Sequence, residues 1–255
     1  MTSVRVQLVG GPTTLIEIGG VRLLVDPTFD PPGDHPIGSR ALRKTRGPAV
    51  PAGEIGAVDA VLLSHDQHPD NLDDAGRAFL ADAPLTLTTG AAAERLGGTA
   101  QELPNWRHVT LPRPGGGELR IVGVPAQHGP DGTEHLVGPV TGFVLDGDGL
   151  PTMYVSGDNA SLAIVQAVVD HLGPIDLAVL FAGAARTPLL DAYLTLTNDQ
   201  AARAAAILRP ARIIPVHTEG WAHFTADRAG LPAAFETHDV SDQLLFLAPG
   251  ESTTL

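Results

Sequence analysis

The chain has 255 residues and no cysteine, and its 16 basic and 29 acidic side chains give a net charge of −13. Disulfides and thiolate metal sites are therefore excluded, and so acidic a surface repels nucleic-acid backbones and anionic lipid. With 43% hydrophobic and 18% charged residues, the chain can bury a substantial core, which excludes general disorder.

The N-terminal run Met1-Thr2-Ser3-Val4-Arg5-Val6 reads directly into a strand and lacks the pattern of a secretory leader or transit peptide. No stretch approaches the roughly 18 apolar residues of a membrane span. A soluble cytoplasmic protein is expected, with neither membrane nor nucleic acid as partner. Residues 4–9, 13–18 and 21–25 read as a β-meander, broken by Gly10-Gly11-Pro12 and by Gly19-Gly20, a two-residue hairpin signal. From Asp26 to about Pro51 the sequence reads as a Pro/Gly-rich loop, and loops of that length are usually functional or mobile. It carries the one basic cluster, Arg40, Arg43, Lys44 and Arg46. This reads as a solvated face, with recognition of an anionic group as the alternative.

The strand 61–63 leads into "SHDQHPDNLDD" and a helix over 72–81, for which Asp70 or Asn71 is the expected cap. A strand at 85–88 and a short helix at 91–96 follow. Residues 119–124, 140–145 and 152–155 read as strands. Residues 162–172 carry apolar side chains at a period close to 3.6, which predicts a helix, with Asp158-Asn159 as its cap and His171 in its last turn as a structural residue. A buried strand at 175–181, a helix at 199–208 and strands at 213–216 and 244–247 complete the pattern. Hairpins, then alternation, then hairpins and alternation again predict two mixed sheets with helices outside, in a single domain spanning 1–255.

Four apolar strands end alike. Val61-Leu62-Leu63 ends at Ser64-His65, with His68 and Asp70 just beyond. Ile121 to Val124 runs through Pro125-Ala126-Gln127 to His128. Met153-Tyr154-Val155 ends at Ser156-Gly157-Asp158, and Ile213 to Val216 ends at His217. A single histidine after a strand is more often a hydrogen-bonded structural residue than a ligand. Repetition of the same grammar four times favours a shared pocket at one sheet rim. Without thiolate, imidazole and carboxylate are the donors expected for zinc, manganese or iron. The six groups His65, His68, Asp70, His128, Asp158 and His217 could hold two ions with Asp158 as the bridge. His223 reads as a substrate contact or proton donor, or equally as a packing residue. Asp26 either orients a ligand histidine or forms a turn before Pro27.

This ordered series resembles the metallo-β-lactamase superfamily over nearly the whole chain. Within it, Gly10-Gly11-Pro12-Thr13 and Leu24-Val25-Asp26-Pro27 resemble the branch of ascorbate-6-phosphate lactonase and related metal-dependent hydrolases. The resemblance implies an αββα sandwich of two mixed sheets flanked by helices, with a metal site at one edge. The family's H-x-H-x-D-H motif fits only with one residue inserted, as H-x-x-H-x-D-N. His65, His68 and His128 then form one site, and Asp70, Asp158 and His217 the other. Asn71 stands where the last histidine belongs, and Gln67 occupies the inserted loop.

The implied function is a hydrolase that holds one or two divalent ions, zinc or manganese. Activated hydroxide would attack an ester, lactone or phosphodiester of a small molecule, an anionic one included. Asp70 or Asp158 would position and deprotonate the nucleophile, and His223 would serve the leaving group. A nuclease is disfavoured by charge, a glyoxalase-type thiolesterase by the altered motif, and a flavodiiron enzyme by length. A metal-depleted binding or regulatory protein on the same fold is the alternative, motivated by Gln67 and Asn71. Oligomeric state, a homo-oligomer included, stays open.

Overall fold

The structure is a computed structural model that describes residues 3–255; the first two residues of the N-terminal run lie outside the described residues. The chain begins as the meander β1 (Val4–Gly10), β2 (Thr13–Ile18) and β3 (Val21–Val25). Gly19 and Gly20 take φ of +60° and +86°, the left-handed values that a tight two-residue turn demands. Next come β4 (Gly33–Ile37) and β5 (Arg40–Lys44), then α1 (Ala52–Ile55), β6 (Ala60–Leu62), α2 (Asp74–Phe79), β7 (Thr86–Thr88), α3 (Gly90–Leu96) and β8 (Ala100–Glu102). The second half runs through β9 (His108–Pro112), β10 (Glu118–Pro125), α4 (Glu134–Val137), β11 (Thr141–Asp146), β12 (Met153–Val155) and α5 (Leu162–Leu172). It ends with β13 (Leu177–Phe181), α6 (Asn198–Ile207), β14 (Arg212–Val216), α7 (Leu231–Thr237) and β15 (Ser252–Thr254).

Two mixed sheets result. One has the order β15-β1-β2-β3-β6-β7-β8 and the other β14-β13-β12-β11-β10-β9. The period-2 alternation of side chains divides their residues between three cores. Leu177, Val179 and Phe181 of β13 face the space between the sheets, where they meet Val6, Ile16, Leu23 and Leu62 from the other sheet. Ala178 and Leu180, from the same strand, face outward under α5, α6 and α7, against Val165, Ala201 and Phe235. Val9, Leu24 and Val61 pack outward against Ile55, Leu72 and Leu80. The layers are therefore helix, sheet, sheet, helix. Helices of this length are marginal alone, so burial of their apolar stripes against the sheets is what holds them.

Helix α6 shows how the sequence sets such a contact. Thr197 and Gln200 form a reciprocal capping box, and Ala201, Ala202, Ala204 and Ala205 bury a smooth face that approaches the sheet closely.

Several expectations are corrected. The loop after Asp26 contains a hairpin, β4–β5. The helix expected over 72–81 spans only Asp74–Phe79, and neither Asp70 nor Asn71 caps it; Asp73 does, accepting from the Gly76 amide at 2.8 Å. Helix α5 is capped by Ser161 rather than by Asp158 or Asn159. Residues 244–247 form no strand: Leu244 makes only an isolated bridge to Ile213, and β15 closes the chain instead. Strands β8 and β9 and helix α7 were not expected. Among the described residues, no helix is long and apolar enough to cross a membrane.

In the second sheet β10 and β12 both run antiparallel to β11, and β12, β13 and β14 are parallel. The C-terminal ends of β10, β12 and β14 therefore share one rim, which the end of β6 reaches from the facing sheet.

Candidate metal centre

His65, His68, His128 and Asp158 each offer a ligand atom, all within 4.8 Å of one another; Asp70, Asp158 and His217 form a second such group that shares Asp158. His65 Nε2 lies 2.9 Å from His68 Nδ1, which lies 3.2 Å from His128 Nε2. His217 Nε2 is 3.1 Å from Asp70 Oδ2 and 3.6 Å from Asp158 Oδ1. His223 sits outside both groups, with Nε2 at 3.0 Å from Asp70 Oδ2.

The backbone fixes these side chains individually. His217 takes φ of +58°, its amide donates to the Gly11 carbonyl at 2.8 Å, and its ring stacks on Phe181 with centroids 5.3 Å apart. Asp158 follows Gly157, whose φ is +55°; a Cβ there would lie 2.4 Å from the Thr141 carbonyl oxygen, so the turn requires glycine. The His128 loop is tied down where the Gln127 amide donates to Asn159 Oδ1 at 3.1 Å.

Outer hydrogen bonds select the tautomers. His128 Nδ1 donates to the Leu194 carbonyl at 2.9 Å, which leaves the Nε2 lone pair facing the centre. His65 Nδ1 lies 3.0 Å from Ser64 Oγ, which itself donates to Asp26 Oδ2 at 2.6 Å. Ser64 Oγ is thus the acceptor for His65 Nδ1–H, and His65 Nε2 is free to ligate. Asp26 acts on the histidine through Ser64 rather than directly. Asn71 Nδ2 donates to Asp26 Oδ2 and to Asp158 Oδ1, each at 3.0 Å, so it braces two carboxylates. Sequence reasoning missed Ser64 and Leu194 as partners of the site. The Ser64 hydroxyl, next to His65, was the available signal; the Leu194 carbonyl left none.

Replacement of Ser64 by Ala is expected to weaken metal affinity by roughly 10- to 100-fold through loss of this orientation. Competition titration against a chelator measures it, and an unchanged affinity would show that the Ser64 contact is idle.

Burial governs the charges. It drives the His128 imidazole down to about 3, with His68 adding to the effect, and holds His65 well below its ordinary value. His68 and His217 are lowered by burial as well. All four are therefore neutral near pH 7, as metal ligation requires. Burial pushes the Asp70 carboxyl up, but the field and hydrogen bonds of His223 and His217 outweigh it and hold Asp70 well below the carboxylate range. Asp158 is pushed well above that range by burial and then by the Asp70 charge. Burial likewise raises Asp26 to about 7, against the hydrogen bonds from Asn71 and Ser64.

The donor set fits a divalent ion. Three neutral imidazoles converge, and a buried carboxylate beside a second one resists ionisation until a cation joins them. Among the described residues, Asp70 Oδ1, Asp158 Oδ2 and His217 Nδ1 are buried with no hydrogen-bond partner.

The His128 shift carries a pH prediction for the metal-free protein. A histidine lowered from about 6.5 to about 3 contributes stability above its unfolded value, and this is lost as the pH falls toward 3. Relative to His128→Asn, the wild type is expected to lose stability with a slope of up to about 1.4 kcal/mol per pH unit across that window. Denaturant melts of both proteins measure it, and parallel curves would mean that His128 is not buried neutral.

A fold of this layering, with a His/Asp centre at the rim between the sheets, defines a class of metal-centred α/β sandwiches. Residues 21–218 match the model of the β-lactamase superfamily domain, and the chain belongs to the metallo-β-lactamase superfamily. It is 28% identical to a metal-dependent hydrolase of Pyrococcus furiosus, over 99% of this chain and 100% of that one. A metal-dependent hydrolase of Deinococcus radiodurans is 29% identical, over 98% and 99% of the two chains. The solved isothiocyanate hydrolase from Delia radicum gut bacteria shares the fold, with a TM-score of 0.80, 24% identity and 98% coverage of each chain.

Proposed function

We propose that the chain is a metal-dependent hydrolase acting on an ester, lactone or phosphodiester of a small molecule. The observation that carries this reading is the convergence of His65, His68, His128 and Asp158 within 4.8 Å, with Asp70 and His217 beside them; His68, Asp70, His128 and Asp158 line a cavity of about 480 Å³. Zinc or manganese suits such donors. A divalent ion held there supplies Lewis-acid polarisation of the substrate oxygen and lowers the pKa of water.

The chain's own groups do the rest. His65, His68 and His128 present neutral nitrogens, and Asp158 stands between the two donor groups. Asp70, held ionised by its histidines, is the base that takes a proton from the attacking water. His223 Nε2, 3.0 Å from Asp70 Oδ2, is placed to relay that proton toward the leaving group. The net charge of −13 suits a small substrate better than a phosphate backbone. The six converging donors favour this reading over a metal-depleted binding protein.

The test is elemental analysis of protein purified without added metal, followed by assays on lactones, aryl esters and phosphodiesters. About one or two equivalents of metal are expected, with hydrolysis lost on chelation and restored by zinc or manganese. Substoichiometric metal with no uptake would overturn the reading.

A further inference from the structure

The four basic residues of the β4–β5 region do not form one face. Along β5 the burial alternates, so Arg40, Leu42 and Lys44 turn inward while Ala41 and Arg43 face solvent. Lys44 is consumed by structure. Its Nζ lies 2.7 Å from Asp73 Oδ2, a buried ion pair that anchors the hairpin base to the start of α2. The Ala222 amide donates to the Arg43 carbonyl and the Thr45 amide to the Gly220 carbonyl, which ties the same base to the His217–His223 loop.

Arg40, at the hairpin tip, reaches the cavity over the metal centre. Nη1 donates to Thr187 Oγ1 at 3.1 Å across the cavity mouth. Among the described residues its Nε and Nη2 meet no acceptor, and no carboxylate pairs with it. The other charged groups at the cavity wall do not answer it: Asp70 and Asp158 belong to the centre, and Glu134 is exposed at the rim. The same cavity wall carries Leu42, Leu136, Leu189 and Leu194, of which Leu136 and Leu189 remain 41% and 47% exposed. A guanidinium with no carboxylate partner at the wall of a cavity that also offers apolar surface is a receptor for a matching anion.

We propose that Arg40 selects the substrate: the cavity takes a small ester or lactone with an aliphatic body and a carboxylate at the end remote from the scissile bond. The carboxylate lies on the free Nε/Nη2 edge of Arg40 as a two-point hydrogen-bonded pair, and the aliphatic body lies against Leu42, Leu136 and Leu194. A single guanidinium matches the one charge of a carboxylate, whereas a phosphate monoester would bring further uncompensated charge into an acidic protein. The proposal rests on the hydrolase reading for its scissile bond, but the recognition can be measured without turnover.

The experiment is calorimetric titration of the zinc-loaded protein with succinate, glutarate and adipate against butyrate, valerate and hexanoate. Each pair offers one carboxylate to the centre, and only the diacid offers a second to Arg40. At the chain length that spans the cavity, the diacid is expected to bind about ten-fold tighter than its monoacid, an ordinary margin for a charge-assisted contact. Arg40→Gln removes the difference and Arg40→Lys keeps part of it. The same diacid preference should appear as KM selectivity among half-esters once a substrate is found. Equal affinities at every length, or a preference that survives Arg40→Gln, overturns the proposal. Diacid selectivity without hydrolysis of any ester would instead retire the hydrolase reading and leave this recognition standing.

Discussion

Replacement of Asp158 by Asn is expected to lower kcat/KM for any substrate found by about a thousandfold or more, because it removes the carboxylate that would hold metal in both donor groups. Asp158 is the one residue common to both donor groups, so its loss weakens both. The same substitution is expected to stabilise the metal-free protein by roughly 1–3 kcal/mol at neutral pH. The sign follows from the raised carboxyl. A group whose folded value lies above its unfolded value contributes stability at low pH and loses it as the pH rises through the folded value. Near neutrality the buried Asp158 is therefore a cost, and an amide removes it. Opposite effects on activity and stability are the mark of a residue retained for chemistry rather than for packing. Denaturant melts of the chelated proteins, with metal content and rates of the loaded ones, separate the two. A variant that is both less active and less stable without metal would show Asp158 to be a structural residue.

What could be read from the sequence followed from where information is concentrated. The strands that deliver His65, His128, Asp158 and His217 each contain a run of at least three consecutive buried residues just before the site, such as Ile121–Val124 and Ile213–Val216. The six donors therefore stood out, and the resemblance ordered them. The β4–β5 hairpin was hidden because Gly33, Pro36 and Gly38 imitate loop composition, and its inward face alternates Arg40, Leu42 and Lys44, a pattern that reads as charge rather than as burial. That is why a basic cluster taken for a solvated face divides into a cavity cation, a buried ion pair and exposed residues.

Asn71 illustrates another limit. Asx residues before a helix satisfy either backbone donors or distant side chains, and Asp70, Asn71 and Asp73 all carried the same local signal. Tertiary structure assigned the cap to Asp73, which also accepts from the Phe29 and Asp30 amides. Asn71 was left free to brace Asp26 and Asp158. A histidine at position 71 could not donate to both carboxylates from one atom, so the departure from the family motif belongs to this carboxylate network.

Gly183→Ala is expected to destabilise the protein by about 3 kcal/mol and to reduce the metal held by the Asp70/Asp158/His217 group. Gly183 follows β13 and passes directly beneath the His217 turn; a Cβ there would lie 1.9 Å from the His217 carbonyl oxygen and 3.2 Å from Phe224 Cγ. Neither side can easily yield. The Gly183 carbonyl accepts from the Thr225 and Ala226 amides, and the Ala182 amide donates to the Val216 carbonyl. His217 already holds φ of +58°, which leaves its turn little freedom to move away. Gly53 provides the control: it lies within α1 with nothing within 4 Å of a Cβ, so Gly53→Ala is expected to be neutral or stabilising by roughly 0.5–1 kcal/mol. Denaturant midpoints of the two variants, with metal per chain, test the argument together. A Gly183→Ala protein as stable as Gly53→Ala would mean that the His217 turn yields without cost. A Gly183→Ala protein that is destabilised yet keeps a full metal complement would mean that the turn moves while its imidazole stays in place. In either case the glycine would not be what holds His217 at the centre.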